Sequence, residues 1–172
     1  LSPDAPMPDG LAVQFPAMQP EGAKRPYFLM GSTGDPVNLW MWGSRDGAGE
    51  AQGRGLGSMT PLSGGDLSAS GAWNEGHWEV VLSRSIEAGA EGSISLSEGV
   101  VTPVAFFAWD GSSAETPDRG SVSSWIYLYL EEPASSNVVI APIVALLLSG
   151  GLLLLLVRGA QRKAAGAAVT GG

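Results

Sequence analysis

Five methionines, six tryptophans, one histidine and no cysteine set the chemistry open to this chain. Without a thiol there is no disulfide framework, no zinc-finger spacing and no thiol nucleophile. The single His77, in GAWNEGHWEVV, leaves no credible Ser-His-Asp or Cys-His arrangement. It lies at a turn leading into a strand and reads as a solvent-facing turn residue. Carboxylates are many but scattered. Asp110 in WDGSS and Asp118 in TPDRG read as turn formers that bond their own backbone. GRGLG lacks the Lys-Ser/Thr of a phosphate-binding loop. What remains is soft and aromatic. Residues 26–44, PYFLMGSTGDPVNLWMWGS, pack Tyr27, Phe28, Met30, Trp40, Met41 and Trp42 around a Gly-containing turn. A thioether at the lip of that turn, Met30, either fills an irregular gap in a core or faces a metal.

The elements that would position these side chains are strands. Period-two alternation recurs in short segments bounded by Gly, Pro, Ser and Asp. LAVQFP (11–16) is one such segment. PVNLWMW (36–42) places Val37, Leu39 and Met41 on one face and Asn38, Trp40 and Trp42 on the other. WEVVLSRSI (78–86) sets Val80 and Leu82 opposite Glu79 and Val81. SISLS (93–97) reads as a short edge strand, and PVAFFAW (103–109), apolar on both faces, as a central one. SSWIYLYLE (123–131) sets Ile126, Leu128 and Leu130 opposite Trp125, Tyr127 and Tyr129. Residues 43–66 are so rich in Gly that they read as a long, mobile loop able to wrap a ligand or a partner. The fold class expected is all-β, an antiparallel β-sandwich, over residues 1–132.

A different segment follows. Residues 138–157, VVIAPIVALLLSGGLLLLLV, contain no charge, and their number matches the roughly 20 residues that cross about 30 Å of hydrocarbon as a helix. They read as one transmembrane helix after a linker at 133–137. The expected cytoplasmic tail is 158–172, with the stretch AAGAAVTGG read as disordered. Arg158, Arg162 and Lys163 follow the span, so the C-terminus is expected in the cytoplasm and the main domain on the periplasmic or extracellular side. The first 132 residues hold 17 acidic and six basic side chains, a net of −11, and the remainder holds +3. So acidic a body does not bind nucleic acid by neutralising phosphates. It can attract a basic protein partner, such as a small cationic electron carrier, or its charge only keeps the domain soluble.

An iron-porphyrin pocket needs a large apolar slot and one or two axial donors, and a Met thioether is one such donor. Here the order of motifs matters. LAVQFP is followed by YFLMGSTGDPVNLWMW, GRGLGSMTP, GAWNEGHWEVVLSRSI and PVAFFAWDGSSAETPDRGSVSSWIYLYL. Over residues 9–131 this succession resembles the haem b-binding γ subunits of dimethyl sulfoxide reductase-type molybdenum enzymes. That family includes the γ subunits of ethylbenzene dehydrogenase, dimethyl sulfide dehydrogenase and related nitrate, selenate and chlorate enzymes. The resemblance implies a β-sandwich holding one haem b between a Met and a Lys. The Met falls on Met30. The Lys falls one residue after the match to Arg119, where this chain has Gly120. An Arg cannot substitute, because its guanidinium stays protonated. The second ligand is therefore open: Met59, Met41, a group from a partner chain, or none, with the haem lost. Family members carry further strands before the segment matching LAVQFP, so the sequence is expected to be N-terminally shortened or to take those strands from a partner. The membrane anchor is a further departure from the soluble members.

Three functions follow from these readings. The first is a non-catalytic, membrane-anchored electron-transfer subunit carrying haem b. It would relay electrons between a partner oxidoreductase and a quinone or cytochrome carrier. The second is a haem-free structural or anchor subunit of a membrane respiratory complex. The third is a tethered sugar-binding module with Trp40, Trp42 and Trp73 as its platform.

Overall fold

The structure, a computed structural model, describes residues 2–19, 25–133 and 136–169; the side chains of 136–139 and 160–169 are outside that description. Residues 134 and 135 of the expected linker and 170–172 of the expected tail lie outside the described residues. The chain divides into two units, Leu1–Glu131 and Glu132–Gly172.

The first unit is all-β, as its alternation requires. Its nine strands are β1 (Gly10–Pro16), β2 (Val37–Gly43), β3 (Gly47–Gly53), β4 (Met59–Pro61), β5 (Ser68–Asn74), β6 (His77–Ser83), β7 (Val101–Trp109), β8 (Ser121–Val122) and β9 (Ile126–Tyr129). Seven form one antiparallel sheet in the order β4-β3-β2-β1-β7-β8, with β9 pairing β7 beyond β8. Residues β5 and β6 form a separate hairpin. The register sets Ala12 against Met41, Gln14 against Leu39, and Gln14 against Ala105. Partners across an antiparallel pair share a face. One face of the sheet therefore carries Ala12, Gln14, Leu39, Met41, Ala105 and Phe107, and the other carries Val13, Phe15, Asn38, Trp40, Trp42 and Val104.

Each face has its own core. The first is Ala12, Met30, Val37, Leu39, Ala51, Phe107 and Trp109. The second is Phe15, Ile94, Leu96 and Val104, with Val13, Trp40, Leu128 and Leu130 against it. The β5–β6 hairpin adds to the second side through Trp78, whose ring lies edge-on to Trp42 at 5.0 Å. Gly71 of the hairpin is a glycine because a Cβ there would lie 2.2 Å from the Trp42 ring. The buried Asp9 carboxylate ties three segments together. It accepts from the Trp78 indole N–H at 2.9 Å, from the Gly111 amide at 2.8 Å and from the Ser2 amide at 2.9 Å.

Two sequence expectations are corrected here. Residues 43–66 are not one long loop, since β3 and β4 run through them. The glycines of β3 contribute little side chain, but the backbone pairs with β2 along all seven residues. SISLS is not a strand. Its Ser-Ile-Ser-Leu alternation instead presses Ile94 and Leu96 into the second core from irregular backbone, with the Ile94 amide donating to the Asn38 side chain at 3.4 Å.

The second unit is α1, Ser136–Val169. Within it Ile140–Gly159 is 20 residues long with a mean hydropathy of 2.7, long and apolar enough to cross a membrane. The Ser149 hydroxyl donates back to the Ala145 carbonyl at 2.8 Å, which satisfies a polar group in an apolar stretch. The helix runs on to Val169, so the tail expected to be disordered is helical as far as that residue.

Candidate functional site

Met30 is the most buried of the residues singled out for chemistry, at 1% exposure. It closes a turn over Tyr27–Met30 in which the Gly31 amide donates to the Tyr27 carbonyl at 2.8 Å. Its backbone is left-handed, with φ of 59°, and Gly31 follows with φ of 72°. A long side chain in that region costs roughly 1–3 kcal/mol and persists only where the surroundings over-determine it. Three hydrogen bonds do so. The Gly55 amide donates to the Met30 carbonyl at 2.8 Å. The Gln14 amide nitrogen donates to the Phe28 carbonyl at 3.1 Å. The Trp125 indole donates to the Pro26 carbonyl at 3.1 Å. Gly53 makes room, because a Cβ there would come within 3.3 Å of the Met30 Cβ and 3.0 Å of its carbonyl oxygen. The left-handed turn aims the Met30 side chain into the first core, among Val37, Leu39, Phe107 and Trp109.

That core is the sulfur-rich part of the molecule. Met41 and Met59 both pack against it, as do Val122 and Trp125. Met59 lies opposite Gly53 in the β3–β4 ladder, on the strand pair that borders Met30. Gln14 is fully buried, and its side-chain oxygen has no hydrogen-bond partner. A buried acceptor left open is costly and calls for a donor. Beside the turn lies an open cleft of about 310 Å³ lined by Arg25, Phe28, Val122, Ser123, Ser124 and Trp125.

No protein-family model matches the chain. A protein of Haloferax mediterranei, named as a respiratory nitrate reductase heme subunit, is 34% identical over 119 residues, 69% of this chain and 42% of that protein. The chlorate reductase subunit gamma of Ideonella dechloratans is 35% identical over 107 residues, 62% of this chain and 44% of that protein. The chain is a homologue of the haem γ subunits of the molybdenum oxidoreductases. It spans less than half the length of the curated relatives it matches.

Haem fits the residues of this γ-subunit homologue on one side. Met30 offers a neutral, soft donor inside an apolar wall, and the Gln14 oxygen beside it lacks a donor. On the other side the expected Lys has no counterpart, and the backbone explains why no side chain replaces it. A Cβ at Gly120 would lie 2.2 Å from the Ala108 carbonyl oxygen and 3.1 Å from the Trp109 Cβ. Gly120 is a close approach of the chain to β7, not a vacant ligand position. Of the substitutes weighed from sequence, Met41 and Met59 are brought to the Met30 core, whereas Arg119 is exposed.

The remaining sequence candidates in the γ-subunit homologue have structural roles. His77 is exposed at the tip of the β5–β6 hairpin, 3.4 Å from Glu79. Asp110 caps a short 3-10 turn over Gly111–Ser113, accepting from the Ser112 amide at 2.9 Å. The hydrogen bond from the Ser112 hydroxyl holds its carboxyl down to about 2. A tryptophan platform for sugars does not form. Trp42 is buried, and Trp40 is packed 4.6 Å from Phe15 with its indole donating to the Asn38 side chain at 2.9 Å. Among the described residues no group of three or more His, Asp or Glu could hold a metal ion.

One constellation escaped the sequence reading. Glu50 of β3 and Arg84, just past β6, form a buried ion pair at 2.8 Å, with side chains 4% and 0% exposed. Ser93 bonds both, the Ile94 carbonyl accepts from the guanidinium, and Arg84 lies over Trp40 at 4.5 Å. The available signal was the Arg itself, in a domain with six basic residues. Its partner lies 34 residues away in a stretch that reads as loop.

Proposed function

We propose that this chain is a membrane-anchored, non-catalytic electron-transfer subunit of a redox complex, with Met30 as an axial ligand to a single haem b. The observation that carries the reading is the left-handed, buried Met30 in a chain homologous to reductase haem subunits. A residue that only filled a core would not need a backbone region where Gly or Asn is favoured. Bound haem supplies one-electron chemistry, and Met ligation favours a higher potential. The chain's residues do the rest. Gln14 and Trp125 tie down the segment that presents the thioether. Val37, Leu39, Phe107 and Trp109 exclude water around it. The second donor comes from Met59, from Met41 or from a partner chain.

The net charge of −11 on the first 132 residues favours a basic carrier at the exposed surface, such as a cytochrome, with a quinone as the alternative acceptor. Arg158, Arg162 and Lys163 favour a cytoplasmic C-terminus, which leaves the sheet domain on the outer side. The test is a reduced-minus-oxidised spectrum and a pyridine haemochrome assay on the full chain extracted from its membrane. A b-type α-band supports the reading. A folded, membrane-bound chain without one removes the haem.

In that event the second reading stands: a haem-free anchor subunit of a respiratory complex. The observation in its favour is Gly120, where the approach to β7 leaves no space for the family's Lys.

A further inference from the structure

We propose that Arg25 is a binding residue for a carboxylate of the macrocycle, fixing it at the mouth of the cleft beside the Met30 turn; this rests on the haem reading above. Most other described arginines are committed to acceptors of the chain itself. Arg45 donates to the Pro6 and Ala5 carbonyls, Arg54 to the Gln52 side chain at 3.0 Å, and Arg84 to Glu50. Arg25 is exposed and lies over the Tyr127 ring, 5.1 Å from its centre. No carboxylate among the described residues pairs with it, although the first 132 residues hold 17 acidic side chains. The ring contact orients the guanidinium without neutralising it. A positive charge held in this way is prepared for an anion that the chain does not provide.

The surroundings define the anion's carrier. The cleft beside Arg25 is walled by Phe28, Val122 and Trp125, with Ser123 and Ser124 at its polar side. Phe28 belongs to the same turn as Met30, and Val122 and Trp125 also pack against the Met30 core. The inner wall of the cleft is thus the outer wall of the sulfur-bearing core. A ligand matched to it has an apolar body lying along Phe28 and Trp125 and a carboxylate at its rim. A guanidinium meets a carboxylate with a two-pronged, charge-assisted hydrogen bond. The volume of about 310 Å³ sits at the low end of small-molecule sites, which suits a group seated partly in the cleft and partly in the core behind it.

The test titrates the full detergent-solubilised chain with two probes, haemin and its dimethyl ester, following the Soret band. Wild type is expected to bind haemin on the order of tenfold more tightly than the ester. Arg25→Gln is expected to weaken haemin binding by a similar factor and to bind both probes equally. Arg25→Lys, which keeps the charge but loses the fork, should recover part of the preference for the free acid. Arg25 is exposed, so the melting temperature should stay close to wild type in both variants. A Soret shift in wild type with Arg25→Gln still preferring the free acid overturns this inference and leaves the haem reading standing. No Soret shift in wild type overturns both.

Discussion

Replacing Met30 with Leu separates the two roles open to a buried thioether. The side chain is 1% exposed and surrounded by Ala12, Val37, Leu39, Ala51, Phe107 and Trp109. Leu nearly conserves its volume and apolarity, and such a swap costs under about 1.5 kcal/mol. The penalty for φ of 59° falls on both residues and cancels in the difference. In a domain of this size each kcal/mol moves the melting temperature by roughly 3–5 °C. The haem-free Met30→Leu chain should therefore melt within about 7 °C of wild type. Met30→Ala, which leaves a cavity behind Gly53 and Val37, should lose about 2–5 kcal/mol and serves as the comparison for packing. What Leu does remove is the sulfur. If that sulfur binds iron, pyridine haemochrome per mole of chain should fall to a small fraction of wild type while the fold survives. A Met30→Leu chain with full haem content and an unmoved α-band would refute the reasoning, and the thioether would then be a core residue only.

The other predictions concern the frame around the site. Arg84→Met leaves Glu50 buried and unpaired, so it should cost about 3–5 kcal/mol in urea denaturation. The Glu50→Gln/Arg84→Met double variant should recover part of that, and a single-variant loss under about 1 kcal/mol would show that the pair is not buried as described. Gly120→Ala should destabilise by about 1–3 kcal/mol, because its Cβ meets the Ala108 carbonyl oxygen. For the same reason Gly120→Lys should not raise haem content; a stable Gly120→Lys chain with more haem than wild type would overturn this. Asp110 titrates at about 2 when folded, against 3.8 for the ordinary carboxyl. Its stabilisation is therefore complete above pH 3.8 and is lost as pH falls through about 2. Asp110→Asn should melt below wild type at neutral pH and converge with it across that acid window, and a constant gap across the window would contradict the assignment.

Much of this was legible in the residues. The face assignments of β2 and β9 follow from period two, a local rule that needs no partner, and both hold in the two cores. The membrane span is a matter of composition and length, and the helix covers it. The order of motifs named the relatives that the identities bear out. Tertiary structure decided the rest. β3 is a strand because β2 and β4 pair with it on both sides; its own Gly and Ala carry no β signal. Ile94 and Leu96 alternate like a strand but plug a core, since no neighbour offers them a ladder. The Glu50–Arg84 pair, the left-handed backbone of Met30, and the contact of Gly120 with β7 depend on segments 34, 25 and 12 residues apart meeting in space. Local pattern settles which face a side chain takes. What that face meets is set by chain packing, which no window of sequence contains.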